Sequence, residues 1–183
     1  MQYPTSNLPN ILAISGSLRA NSSNNAVIVV AEHYIKDLAN VTLYNGLGDL
    51  PHFDDSAEPA DEVQEFRNLI RESDGVLICS PEYAFGVPGS MKNALDWTVS
   101  SGDFMDKPVA LITAATGGEK AHESMLHTLT AISARIVPGG TLLISFIRSK
   151  MNDNGEIVNM ETKEQITKVA DALVNNIKDH QQL

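Results

Sequence analysis

The chain has 183 residues, of which 23 are acidic and 13 basic, so its formal net charge is −10. A chain of this length can bury one sizeable core, and an apolar fraction of 43% is ordinary for a globular protein. The acidic balance repels phosphate backbones and anionic lipid, which argues against nucleic acid and membranes as partners. We therefore predict a single domain over residues 1–183, with a flexible lead-in at residues 1–9.

The single cysteine, Cys79, lies within the apolar run VLIC, so a buried and unreactive thiol in a reducing compartment is expected. The N-terminal residues lack a basic region followed by a long apolar core. No apolar stretch approaches the roughly 20 residues needed to cross a bilayer. These features predict a cytoplasmic protein.

In chain order, apolar runs alternate with helical patterns. The predicted strands lie at about residues 10–14, 41–44, 75–80, 108–113 and 140–145. The predicted helices lie at about residues 24–38, 61–72, 90–101, 119–134 and 162–178. Ser90 and Thr162 are placed to cap the third and fifth helices. The buried face of the first helix is expected at Val27, Val30, Ala31, Tyr34, Ile35 and Leu38, which follow the helical period.

This alternation implies βαβ units, hence a doubly wound α/β domain with a parallel sheet covered on both faces. Ligands on such sheets bind beyond the carboxyl ends of the strands. The loops after strands one, three and four are rich in Gly, Ser, Thr or Pro. We therefore predict one binding site made of three loops.

The first loop, GSLRANSSNN, is typical of a site for a terminal phosphate. It lacks the Lys-Ser ending of a Walker loop and the glycine spacing of a dinucleotide site. Short donors and a guanidinium surround the start of a helix, at Ser17, Arg19, Ser22, Ser23 and Asn24. The alternative is that Ser23 or Asn24 only caps the helix and that Arg19 is a solvated surface residue.

The second loop, SPEYAFGVPG, has a rigid backbone that can read the polar edge of a flat heterocycle. Tyr83 and Phe85 can flank the ring, or they can belong to the core. Glu82 is a possible acid or base, but we favour a role for its backbone, with the carboxylate exposed or salt-bridged. The third loop, TAATGG, permits a close approach to a ring, although such turns also occur for steric reasons alone.

Other constellations are weak. The five histidines are scattered, and His122 and His127 are five residues apart, so no metal site is predicted. The segment SGSL differs from the GxSxG nucleophile elbow, which argues against a serine hydrolase.

Two motifs together resemble the NADPH-dependent FMN reductase family, which includes flavodoxin-like quinone, azo and chromate reductases. They are GSLRANSSN after strand one and PEYAFGVPGSMKNALDW after strand three, and the resemblance covers about residues 10–143. It implies a flavodoxin-like three-layer sandwich with a five-stranded parallel sheet in the order 2-1-3-4-5. By this motif match Ser17, Arg19, Ser22 and Asn24 would bind the FMN phosphate, and Ser23 of the same loop is a further candidate. The expected ring contacts are Pro81, Glu82, Tyr83, Ala84 and Gly86 of the second loop, with Thr113, Thr116, Gly117 and Gly118 as the possible contacts at the third.

The resemblance also implies the reaction. NADPH or NADH would deliver hydride to FMN, and the reduced flavin would pass electrons to a quinone, an azo compound, a metal oxyanion or a free flavin. No side chain is expected to act as a catalytic acid or base. A homodimer or homotetramer is expected. Two alternatives stay open: an FMN-binding electron carrier that does not use NAD(P)H, and a non-catalytic relative with weakened flavin binding.

The chain departs from the family pattern at three places. Ala84 stands where the family usually has asparagine, and Gly86 where it often has serine or threonine. Ala114 and Ala115 occupy a turn that often carries serine. Each lost hydrogen bond to the flavin is expected to weaken binding by about 1 kcal/mol.

Overall fold

The computed structural model describes residues 8–56 and 58–181. Its sheet has five parallel strands in the order β2-β1-β3-β4-β5. The strands are β1 (Asn10–Ser15), β2 (Asn40–Tyr44), β3 (Gly75–Ser80), β4 (Pro108–Ala114) and β5 (Arg135–Ile144). Residues 1–7 of the predicted lead-in lie outside the described residues.

Five α-helices cover the two faces of this sheet. They are α1 (Ser23–Ile35), α2 (Asp61–Glu72), α3 (Gly89–Asp96), α4 (Glu119–Ala131) and α5 (Met160–Gln181). One core cluster joins α1 and α5 to the sheet, and a second joins α2, α3 and α4 to the opposite face. This arrangement confirms the predicted flavodoxin-like sandwich and its strand order.

The central strands are apolar because both of their faces are covered. Every residue of β3 and β4 is buried, as a parallel sheet between two helical layers requires. Cys79 of β3 is fully buried, and desolvation raises the pKa of its thiol. The prediction that Cys79 is buried is therefore confirmed.

The predicted buried face of α1 is partly wrong. Tyr34 is 45% exposed and its hydroxyl donates to Asp171 of α5 at 2.9 Å. Leu38 lies beyond the end of the helix, and its exposure is 37%. Asn24 and Ile28 are buried instead, because the helix meets the sheet along a stripe that begins at its first turn.

Both predicted helix caps are wrong. Pro88 precedes α3, and Ser90 is already inside the helix. At α5 the cap is Asn159, whose side-chain oxygen accepts from the Thr162 backbone N–H at 2.8 Å. Proline and asparagine are both common at the starts of helices. The sequence alone therefore does not decide which of two neighbouring residues is the cap.

The fifth strand begins earlier than predicted. It starts at Arg135, so α4 ends at Ala131 rather than near Ala134. The segment Pro138-Gly139-Gly140 is typical of a turn, but here it forms an irregularity in the pairing with β4, with Gly139 at a φ of +75°. The bulge lets the strand continue where turn residues predict a break.

Candidate functional site

The carboxyl ends of β1 and β3 meet at Gly16. Its backbone N–H donates to the Cys79 carbonyl at 2.8 Å. A Cβ at this position would lie 2.6 Å from the Ser80 hydroxyl oxygen, so only glycine fits. This contact brings the first loop, residues 16–22, against the start of the second loop, residues 81–88.

Asn24 holds the first turn of α1 to the same edge of the sheet. Its side chain is 2% exposed, and its amide donates to the Ala114 carbonyl of β4 at 3.4 Å. Its side-chain oxygen accepts from the Cys79 thiol of β3 at 3.2 Å. The Asn24 side chain is thus used inside the protein, which leaves its backbone N–H to face an anion.

The first loop presents donors at the start of α1. Ser22 is the helix cap, since its hydroxyl accepts from the Asn25 backbone N–H at 3.1 Å. The alternative required Ser23 or Asn24 to be the cap, and neither of them is. The N–H groups of Ser23 and Asn24 have no partner among the described residues, as expected for a first helical turn. An anion at this helix end meets two free amides and the positive end of the dipole.

Arg19 is exposed, and its guanidinium makes no hydrogen bond or ion pair with another described residue. The Ser17 hydroxyl accepts from the Arg19 backbone N–H at 3.4 Å, which supports the loop locally. A hydroxyl that accepts in this way can still donate its own proton to a ligand.

The second loop ends in a tight turn. Tyr83 and Gly86 exchange two backbone hydrogen bonds of 3.0 Å, and Ala84 and Phe85 between them both have positive φ, at 49° and 60°. These are the signs of a type I′ turn. Tyr83 and Phe85 are 50% and 82% exposed, so the alternative that they belong to the core is wrong.

Glu82 connects the second loop to the third. One carboxylate oxygen accepts from the Gly118 N–H at 3.2 Å, and the other accepts from the Ala121 N–H at 3.0 Å. The carboxylate therefore caps the start of α4. The expectation of an exposed or salt-bridged carboxylate is wrong, because its partners are backbone amides that lie far along the chain.

The third loop, residues 115–118, approaches the second loop closely. A Cβ at Gly117 would lie 3.5 Å from a Glu82 carboxylate oxygen. Gly118 has a φ of +111°, and a Cβ there would lie 2.6 Å from Leu143, so glycine is required. Thr116 is exposed at the tip, and its carbonyl accepts from the Phe146 N–H at 3.1 Å.

Thr113 lies under this loop rather than on it. It is fully buried, and its hydroxyl is 2.8 Å from His122 Nδ1 on α4. Desolvation lowers the pKa of the half-buried His122 below its usual value, so its imidazole is neutral at pH 7. A neutral His122 supports the loop without adding charge to the site.

The segment after β5 also reaches the site, although its sequence carries no recognisable motif. Phe146 is 65% exposed with a φ of 54°, and a 3-10 helix, Ile147–Lys150, follows it. Arg148 of that helix lines a cavity of about 260 Å³ together with Arg19 and Ser23. The sequence did contain one hint that Arg148 could belong to the site: it is a basic residue just after a strand, in a chain whose net charge is −10.

Residues 9–148 match the sequence model that describes the NADPH-dependent FMN reductase family. The chain belongs to this family. A relative within it is subunit 2 of the NADH-dependent flavin reductase of Lactobacillus johnsonii, with 35% identity over 83% of this chain and 88% of the relative. The quinone reductase of Escherichia coli strain K12 is 26% identical over 86% of this chain and 89% of its own length.

A solved structure agrees with these matches. FerB from Paracoccus denitrificans, described as a flavoenzyme NAD(P)H:(acceptor) oxidoreductase, superposes with a TM-score of 0.76 and 26% identity. The match covers 94% of this chain and 99% of FerB. Membership of the FMN reductase family confirms the predicted family, the NAD(P)H-dependent reductase class and FMN as the cofactor. No helix in the described part of the chain is long and apolar enough to span a membrane.

The described residues fit FMN at both ends. The unpaired guanidinium of Arg19, the Ser17 and Ser22 hydroxyls and the two free amides at the start of α1 match a phosphate dianion. The rigid backbone of the second loop and the glycines of the third match the approach of a flat ring.

Proposed function

We propose that this FMN reductase passes electrons from NADH or NADPH, through FMN, to a small conjugated acceptor such as a quinone or a free flavin. The observation that carries the proposal is the joining of three loops at one edge of the sheet by Gly16, Asn24 and Glu82. Azo compounds and metal oxyanions are further acceptors of the same reaction class.

The cofactor contacts follow the predicted residues. We assign the phosphate to Ser17, Arg19, Ser22, Ser23 and Asn24, with Asn24 acting through its backbone N–H. We assign the ring to the second and third loops, at Pro81, Glu82, Tyr83, Ala84, Gly86, Thr116 and Gly117. When bound, FMN supplies the exchange of hydride and electrons between donor and acceptor. The protein binds and orients it.

Exposed aromatic side chains support a flat acceptor. Tyr83, Phe85 and Phe146 are at least half exposed; the first two lie in the second loop, and Phe146 lies in the segment after β5, which is bonded to the third loop. Aromatic faces at a site favour stacking against conjugated rings. The names of the Lactobacillus and Escherichia coli relatives, a flavin reductase and a quinone reductase, agree with this class.

We also propose a homodimer as the smallest assembly, with a homotetramer built from it, and a cytoplasmic location. Exposed apolar side chains flank α3 on both sides in the sequence, namely Phe53, Phe85, Val99 and Met105. Phe53 lies directly against the helix, since its backbone N–H donates to the Asn93 side chain at 2.8 Å. Apolar surface of this kind commonly marks an interface.

The reductase reaction is tested by mixing FMN-saturated protein with NADH or NADPH without oxygen. We expect the flavin absorbance near 450 nm to bleach, and to recover when a quinone or a flavin is added. Parallel-line steady-state kinetics would follow from donor and acceptor using the same site in turn. Flavin that stays oxidised with both donors would contradict the proposal and favour the electron carrier.

A further inference from the structure

We propose that Arg148 is a second cation for the 5′-phosphate of FMN, acting across the cavity from Arg19. The inference rests on the proposed function, because it assigns a residue outside both sequence motifs to the cofactor's phosphate. The site is a cavity of about 260 Å³, which we call the arginine cavity. It is lined by Arg19, Asn21, Ser23, Arg148, residues 151–153 and Gly155.

The two arginines of this cavity differ from the others in the chain. Arg67, Arg71 and Arg135 donate side-chain hydrogen bonds to other described residues. The guanidiniums of Arg19 and Arg148 make no such bond and no ion pair with any described residue. Both unpaired guanidiniums therefore line one cavity, in a chain whose net charge is −10.

The backbone that precedes Arg148 is fastened to the third loop, while the Arg148 side chain is exposed. The N–H groups of Phe146 and Ile147 donate to the carbonyls of Thr116 and Ala115, each at 3.1 Å. The Ser145 hydroxyl donates to the Gly117 carbonyl at 2.9 Å, and the Ile147 side chain is 2% exposed. The 3-10 helix that presents Arg148 is thus fastened to the third loop.

The remaining polar groups of the arginine cavity favour an anion. Ser23 starts α1, and its backbone N–H is free. Asn152 is used within its own turn, because its side chain bonds Glu156 and the N–H of Asn154. Asp153 is the one acidic residue in the lining, against the two arginines Arg19 and Arg148. A phosphate dianion matches the remaining excess of donors.

Arg19 also lines a second cavity, of about 230 Å³, on the side of β2. That cavity includes the carboxylate of Asp49 and the phenol of Tyr44, and it contains no second cation. Burial is the main cause that raises the pKa of Tyr44 to about 12, and the carboxylates of Glu65, Asp49 and Glu62 add to it. Ser17 and Arg19 both line this second cavity, whereas a second cation, Arg148, is found only in the arginine cavity. A dianion beside Arg19 therefore gains a further positive partner on the side of the arginine cavity.

The test compares FMN with riboflavin, which lacks the phosphate. Dissociation constants are measured by quenching of flavin fluorescence on the flavin-free full-length protein. We expect Arg148→Gln to weaken FMN binding about tenfold or more and to change riboflavin binding less than twofold. Arg148→Lys keeps the charge and should recover part of the loss. Arg19→Gln should show the same selectivity as Arg148→Gln.

Lys150→Gln is the matched control, because Lys150 belongs to the same 3-10 helix and does not line the arginine cavity. It should leave the affinity for both flavins unchanged. Denaturant midpoints of all variants confirm that each is folded. Equal losses for FMN and riboflavin in Arg148→Gln, or no loss for either, would overturn the inference and leave the proposed function standing.

Two further outcomes are distinct. An unchanged FMN affinity with a raised KM for NADPH or NADH would assign Arg148 to the nicotinamide cofactor's phosphates, against the inference. A wild-type protein that binds no FMN would overturn the proposed function, and the assignment of Arg148 with it.

Discussion

Glu82 shows how one side chain can determine the geometry of the site. Its carboxylate accepts from Gly118 and Ala121, so the second loop and the start of α4 are held together. The same carboxylate satisfies two amides that the helix itself leaves unpaired. Glu82 therefore stabilises the fold and positions the loops at once, without needing to act as an acid or base.

We predict that Glu82→Ala lowers the free energy of unfolding by about 1–2 kcal/mol, the usual cost of removing a helix cap. The affinity for FMN should fall as well, because the second and third loops are no longer held together. Glu82→Gln keeps one acceptor oxygen and should lose less of both. The measurements are urea unfolding and flavin fluorescence quenching.

The control for Glu82 is Glu123→Ala, on the helix α4 that Glu82 caps. Glu123 is exposed, and its only charge partner among the described residues is Lys120 at 3.8 Å. A surface pair of this kind contributes less than about 1 kcal/mol. If the two alanine variants lose equal stability, the cap formed by Glu82 is energetically unimportant.

At the scale of elements, the turn at residues 83–86 places two ordinary residues in a conformation that favours glycine or asparagine. Ala84 and Phe85 have φ values of 49° and 60°. For residues other than glycine, asparagine and aspartate, this left-handed conformation costs about 1 kcal/mol of conformational free energy. Asparagine, which the motif resemblance leads one to expect at this position, would suit such a turn.

We predict that Ala84→Asn stabilises the protein by about 0.5–1 kcal/mol, because asparagine tolerates the left-handed conformation. For a chain of this size the melting temperature should rise by about 1–4 °C. Ala20→Asn is the control, since Ala20 is exposed in a loop and does not have positive φ. An equal rise in both variants would show that the turn is not the cause.

Some elements are predictable from the sequence, and the turn at residues 83–86 is not. The bounds of α2 and β3 agree with the prediction to the residue, because an amphipathic period and a bounded apolar run are local signals. From the sequence, Ala84 predicts only the loss of a hydrogen bond to the flavin. The left-handed conformation of the turn is not predicted. A backbone conformation forced by hydrogen bonds between Tyr83 and Gly86 has no signature when its preferred residues are missing.

The site, too, has parts that the sequence predicts and parts that it does not. The meeting of the three loops was predictable, because strand ends and turn-rich loops are visible in the sequence. The partners of Glu82 were not, because they are backbone amides 36 and 39 residues away. The position of Arg148 beside Arg19 and Ser23 was not predictable either, because only the fold brings the end of β5 to the start of α1.

At the scale of the whole molecule, its net charge of −10 and its exposed apolar side chains have opposite effects on self-association. Like charges on two chains repel, but this repulsion is screened within about 8 Å at physiological ionic strength. Val99 and Met105, which follow α3, are 61% and 64% exposed. Burial of such side chains favours a dimer once salt has reduced the repulsion.

We predict a dimer of twice the chain's 19.8 kDa in sedimentation velocity experiments, with dissociation at low salt and low protein concentration. The double variant Val99→Glu/Met105→Glu should sediment as a monomer, because it places charges in the proposed interface. Val158→Glu/Met160→Glu is the matched control: these side chains are 50% and 66% exposed but lie at the start of α5. A wild-type monomer at all salt concentrations would contradict the assembly, whereas dissociation only in the control pair would move the interface from α3 to α5.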